Sequence, residues 1–145
     1  MKKIIYIAFA LLVATNCSAQ IESAAKSVFS LTTFKKDGTL LASTHGVFVG
    51  DKGEAISSWK PFVGADSAVV IDANGKQSVV SALIGANELY NVCKFKVDGN
   101  TQPASVATAA SKKGEKVWIL QYSVNKPLID QRNVQSVEPF MEKYA

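Results

Sequence analysis

From Ser27 onward, short runs of β-branched and aromatic residues alternate with turns that carry glycine. Ser27–Phe34 (SVFSLTTF) has the composition of a strand, Lys35-Lys36-Asp37-Gly38 closes a hairpin, and Thr39–Ser43 returns. Gly46–Gly50 and Glu54–Ser58 read as strands on either side of an Asp51-Lys52-Gly53 turn, since Asp and Gly tolerate the backbone angles of a short hairpin. Ala68–Asp72 is another strand, ahead of Asn74-Gly75, the strongest hairpin signal in the chain. Lys76–Ile84 runs back, and Val79 and Val80 break its alternation, as in a strand that is bulged or buried on both faces. Gly85–Tyr90 reads as a connection. Asn91–Val97 alternates cleanly, with Cys93, Phe95 and Val97 on one face and Lys94 and Lys96 on the other.

The second half is sparser. Asp98–Pro103 is a polar loop, Ser105-Val106-Ala107 a brief apolar piece, and Val117–Tyr122 the most strand-like run. Val134–Val137 is a candidate for one more strand, and Phe140–Tyr144 for a short helical or frayed end. Near the start, Ile21–Lys26 is mixed and fits a short helical turn or a loose arm. These are about seven short strands with turn signals between them and no long helix, so the predicted class is all-β. The pattern by itself is equally compatible with a sandwich and a barrel. No repeat, low-complexity run or interdomain linker is visible.

The first nineteen residues stand apart. Lys2 and Lys3 precede an apolar run, Ile4–Ala14, and Cys17-Ser18-Ala19 supplies small residues before Gln20. This is the pattern of a secretory leader cleaved after Ala19, which predicts a secreted or periplasmic protein. Cys17 raises a lipid-modified alternative, but Asn16 before it fits a lipoprotein signal poorly. Removing the leader takes two lysines from a chain of 16 basic and 12 acidic residues, so the net charge of +4 owes half its value to the leader. The remaining lysine pairs, Lys35-Lys36 and Lys112-Lys113, lie beside glycines as solvated loops do, and no nucleic-acid partner is expected. Beyond the leader no apolar run calls for a membrane. Cys93 is the one cysteine left, which excludes an intrachain disulfide. A single histidine, His45, with one cysteine and scattered carboxylates offers no metal-ligand set, and no cofactor is expected.

Ser43–Asp66 (STHGVFVGDKGEAISSWKPFVGAD) resembles the hairpin that carries the catalytic histidine in trypsin-like serine peptidases of the HtrA (Deg) type, which read G-S-G-F-V-I, a D-G turn, then I-L-T-N-x-H-V-V-x-G-A-D. Gly46-Val47-Phe48-Val49, Lys52-Gly53, Ala55-Ile56-Ser57-Ser58 and Val63-Gly64-Ala65-Asp66 keep that frame. The resemblance covers roughly residues 27–122 and implies a six-stranded antiparallel β-barrel, one half of the two-barrel trypsin-like (chymotrypsin-type) fold, over residues 20–122. It matches Gly114–Tyr122 with the family's V-G-D-x-V-x-x-I-G-x-P stretch, where the barrel closes and the chain crosses over. Residues 123–145 would then be the crossover or the start of a missing second barrel.

The same alignment removes the chemistry. Lys60 stands in the place of the histidine, and an ammonium at neutral pH has no lone pair with which to accept the serine's proton. Asn91-Val92-Cys93-Lys94-Phe95-Lys96-Val97-Asp98 stands where the family reads D-L-A-V-L-K-I-D, so Asn91 replaces the aspartate that orients the imidazole. A neutral amide can hydrogen-bond but cannot stabilise an imidazolium by charge. No G-[ND]-S-G-G-type loop occurs, and the chain after Asn91 is too short for a second barrel. Glu88 is expected on the exposed connection, His45 at a partly exposed strand end, and Cys93 as a core residue with a raised pKa, not a nucleophile. Trp59 and Phe62 form either an exposed aromatic pair around Lys60 or a plug in the barrel's open end. The implied function is a catalytically silent peptidase homologue, either a binding or scaffold module or the N-terminal part of a longer peptidase-like protein. Its expected partner is a protein or peptide, including a second barrel in cis or on another chain. The alternative is an unrelated secreted β-sandwich or small barrel that binds a partner. Proximity of Lys60 and Asn91 at one barrel rim separates the two.

Overall fold

The computed structural model describes residues 19–122 and 128–135. The leader before Ala19 and the Phe140–Tyr144 end lie outside the described residues. Residues 19–25 are helical, the first of the two readings open for the Ile21–Lys26 segment. The strands are β1 (Val28–Phe34), β2 (Leu40–Phe48), β3 (Glu54–Ser57), β4 (Ser67–Ile71), β5 (Gln77–Asn87), β6 (Val92–Val97), β7 (Lys116–Gln121) and β8 (Leu128–Asn133). A 3₁₀ turn, Lys60–Phe62, follows β3.

The first six strands close into an antiparallel barrel in the order β1-β2-β3-β6-β5-β4. The expected all-β class and the six-stranded barrel are therefore both present. Closure is made by β1, which pairs with β2 along one edge and with β4 along the other. Within Gly114–Tyr122, where the resemblance implied that the barrel closes, β7 instead pairs with β8 in a separate two-stranded sheet. Of the strand expected at Val134–Val137, residues 134 and 135 are not in a strand and residues 136 and 137 lie outside the described residues. β8, at Leu128–Asn133, comes earlier, where polar Asp130, Gln131 and Arg132 hide it from a search for apolar runs.

Inward positions of the strands fill the barrel. Phe29, Leu31, Phe48, Ala55, Phe62, Ala68, Val70, Cys93, Phe95 and Val97 form one buried cluster. Its centre is aromatic: the Phe29 ring lies 4.6 Å from that of Phe48 and 5.9 Å from that of Phe95, and Phe62 sits 5.3 Å from Phe95. Tilted and edge-on arrangements of this kind add to the stabilisation that burial itself provides. Gly46 admits the Phe29 ring, since a Cβ there would come within 2.5 Å of it.

Turn chemistry sets the register. Gly53 has φ +94°, and a Cβ on it would collide with the Val97 carbonyl oxygen, so the β2–β3 turn tolerates no side chain at this point. The chain after β6 is laced over the same turn. The Thr101 hydroxyl donates to the Gly50 carbonyl (2.7 Å) and accepts from the Gly53 N–H (3.0 Å). β5 carries two register shifts against β6, at Val80/Ala82 and Leu83/Gly85. The broken alternation at Val79-Val80 thus marks a bulged strand that changes partner from β4 to β6, and residues 81–87 are exposed, not buried on both faces. The stretch read as a connection from Gly85 is still strand as far as Asn87.

Candidate functional site at the barrel rim

β3 and β6 run antiparallel with Ser57 opposite Cys93, so the residues that follow β3 and those that precede β6 emerge at the same end of the barrel. Lys60 and Asn91 meet there. The Lys60 backbone N–H donates to the Asn91 side-chain Oδ1 at 2.8 Å, and the Trp59 N–H donates to the Asn91 carbonyl at 3.3 Å. The two positions that the resemblance set in the places of base and orienting group are adjacent in space.

Local geometry explains how Asn91 does this. Its φ is +51°, in the left-handed region that asparagine enters more readily than most residues. The turn before it is held by its own N–H donating to the Glu88 carbonyl (3.2 Å) and by the Tyr90 N–H donating to Asn87 Oδ1 (3.0 Å). Glu88 lies on this exposed turn, as the sequence implied. The amide oxygen that would orient an imidazole is engaged with backbone, and it caps the 3₁₀ turn that carries Lys60.

Lys60 itself is exposed. Its ammonium therefore lacks the buried setting on which serine–lysine chemistry depends. His45 offers no substitute. It lies within β2, not at a strand end, and is exposed on the outer side, since its neighbour Gly46 faces the core. Its ring stacks on that of Tyr122 with centroids 6.0 Å apart. Cys93 is buried in the core, and burial pushes its thiol pKa up against the smaller opposing effect of Ser57 hydrogen bonding. Its Sγ lies 3.6 Å from Ser57 Oγ and from the Ser58 carbonyl oxygen.

Between the two uses open for Trp59 and Phe62, the structure has the plug. Phe62 belongs to the buried core, and Trp59 packs against that core with its ring stacked 6.3 Å from Phe62. Sequence reasoning missed Thr33. Its side chain is fully buried, and its hydroxyl donates to the Pro61 carbonyl at 2.7 Å, fixing the corner that holds Lys60 to the inside of β1. The signal was available: Thr33 continues the Phe29, Leu31 inward parity. Among the described residues, no group of three or more His, Cys, Asp or Glu side chains is gathered for a metal ion.

Outside the plug, several apolar side chains near Lys60 and Asn91 face solvent. Val63, just after the 3₁₀ turn, and Leu89, Tyr90 and Val92, beside Asn91, are exposed, as are Leu83 and Ile84 on β5.

No protein-family model matches the chain, and no curated protein matches it. The solved structures do. The serine endoprotease of Yersinia pestis is similar at a TM-score of 0.69 and 19% identity, over 81% of this chain. The match spans 43% of that protein, less than half its length. With a closed six-stranded antiparallel barrel in this chain, that similarity identifies its architecture as the first barrel of the trypsin-like serine peptidase fold, at a distant level of sequence relationship.

Proposed function

We propose that this protein is a secreted trypsin-type barrel that has given up peptide hydrolysis and works by binding a protein or peptide. One observation carries the reading: Lys60 and Asn91 occupy neighbouring places at one rim, and their contact at 2.8 Å is a structural hydrogen bond between backbone and amide. Hydrolysis on this fold needs an imidazole to accept the serine's proton and a carboxylate to orient it. Lys60 stands in the place of the imidazole and the neutral amide of Asn91 in that of the orienting carboxylate. The exposed apolar residues Val63, Leu89, Tyr90 and Val92, each within three residues of Lys60 or Asn91 in the chain, support binding as the remaining use of the site, since apolar side chains gathered near one end of a folded domain tend to serve contacts. Proximity of Lys60 and Asn91 also weighs against an unrelated sandwich or barrel.

The test is turnover of an unfolded protein substrate by the purified chain, run beside a Lys60→Ala variant. No cleavage above buffer is expected from either. Cleavage by the wild type that a substitution in this chain abolishes would overturn the reading.

A second reading is favoured by the 43% coverage of the Yersinia protein: this barrel is the N-terminal part of a longer peptidase-like chain whose second barrel covers the apolar side chains near Lys60 and Asn91. The intact mass of the native protein, isolated from the extracellular or periplasmic fraction, separates the two. A mass matching residues 20–145 supports a half-fold with a separate partner, and a mass larger by a domain supports the longer chain.

A further inference from the structure

The β7–β8 hairpin is not explained by the barrel. Two antiparallel strands alone are marginal in water and ordinarily need a third strand or a packed face. Yet Trp118, Ile119 and Ile129 are 41%, 46% and 46% exposed on it. Among the described residues, β8 pairs with β7 on one side and with no strand on the other.

The register defines its two faces. Trp118 opposes Gln131, and Leu120 opposes Ile129. Directly opposed residues share a face, as do residues two apart along a strand. Trp118, Leu120, Ile129 and Gln131 therefore share one face, and Val117, Ile119, Asp130 and Arg132 the other. Asp130 and Arg132 are joined by an exposed salt bridge of 2.6 Å.

We propose that β8 pairs antiparallel with β8 of a second copy of this chain, about a two-fold axis at Gln131. A strand paired with itself in this way opposes residues whose numbers add to a constant. An odd constant would bring the Trp118 face of one copy beside the Asp130 face of the other, breaking both faces. Among the even constants near the strand's middle, an axis at Asp130 opposes two carboxylates, and an axis at Arg132 opposes two guanidinium groups. An axis at Gln131 opposes Asp130 to the partner's Arg132 twice, Gln131 to itself, and Ile129 to the partner's Asn133. Charge complementarity thus selects one register. The four-stranded sheet that results places Trp118, Leu120 and Ile129 of both copies on one continuous face and gathers the four charges in the middle of the other. It also covers the exposed edge, which is otherwise a template for uncontrolled pairing. β7 carries no such self-complementary charges, since Lys116 is its one charged residue.

The test is sedimentation of the full chain and three variants. The wild type is expected at twice the mass of the single chain. Asp130→Arg turns two opposite-charge pairs into two like-charge pairs and weakens the dimer roughly tenfold or more. Asp130→Arg combined with Arg132→Asp restores both pairs, and with them the dimer. Gln131→Cys places the two opposed Cα atoms about 5 Å apart, within disulfide reach, so mild oxidation yields a covalent dimer absent from the wild type. Lys116→Cys, at the outer end of β7, does not cross-link. A monomeric wild type, a charge swap that fails to restore the dimer, or cross-linking through Lys116→Cys as readily as through Gln131→Cys would each overturn the proposal.

Discussion

Asn91 shows how one side chain can hold a corner of the barrel together. Its amide keeps an oxygen where a carboxylate oxygen would stand, and that oxygen accepts the Lys60 N–H at 2.8 Å. Replacing Asn91 with alanine removes the acceptor and puts a less tolerant residue at φ +51°, which is expected to cost about 2 kcal/mol in denaturant unfolding. Asn91→Asp keeps the acceptor and should retain most of that stability, without gaining peptidase activity. Both roles of Asn91 are local. Its alignment with the family's aspartate was legible in the sequence, but its φ and its use as a cap were not, because Lys60 is remote from it along the chain. At the same scale, Cys93 is inward on β6 with its thiol pKa raised by burial. Alkylation of Cys93 in the folded protein is therefore expected to proceed only as fast as the barrel opens, and to accelerate sharply in denaturant. Comparable rates in the folded and the unfolded chain would contradict its burial.

Among the elements, the hairpins are where sequence and structure agree best, because their determinants are close together in the chain. The β1–β2 turn is an example. Asp37 Oδ1 accepts from the Thr39 hydroxyl, at 2.6 Å, and from the Thr39 N–H, at 3.0 Å. These bonds hold the Asp37 carboxyl below its ordinary pKa, the hydroxyl having the larger effect. A depressed carboxylate pKa stabilises the folded state above the unfolded value and loses that contribution as pH falls through the folded value. Stability should therefore decline on the acid side partly through Asp37, and Asp37→Asn should flatten that part of the decline in a series of melting temperatures from neutral to acid pH. The strands the sequence misjudged are those whose limits depend on partners. β5 runs on to Asn87 because β6 pairs with it that far, and β8 exists because β7 does.

The whole molecule rests on an aromatic cluster drawn from strands far apart in sequence. Phe95 touches both Phe29 and Phe62, linking β6 to β1 and to the plug at the rim. Phe95→Ala is expected to cost about 3–5 kcal/mol and to lower the thermal midpoint accordingly, because the cavity it leaves lies among rings that cannot all collapse into it. A loss below about 1 kcal/mol would mean that the cluster relaxes freely. A loss of about 3–5 kcal/mol would be a large share of the total stability of a domain of this size.

The sequence by itself determined the strand alternation, the turn positions and the residue types that stand at Lys60 and Asn91. These depend on side-chain type and on spacings of two to four residues, and period-two burial and glycine turns are written locally. It also supplied the family frame in which Lys60 and Asn91 stand. The tertiary structure alone decided between sandwich and barrel on physical grounds, since closure depends on β1 meeting β4 at Ser30 and Ile71, a pairing that no local pattern encodes. It decided that Lys116–Gln121 leaves the barrel, that Trp59 and Phe62 plug it, and that Thr33 secures the corner from within. Each of these is a contact between residues distant in the chain, fixed only when the core selects which faces meet.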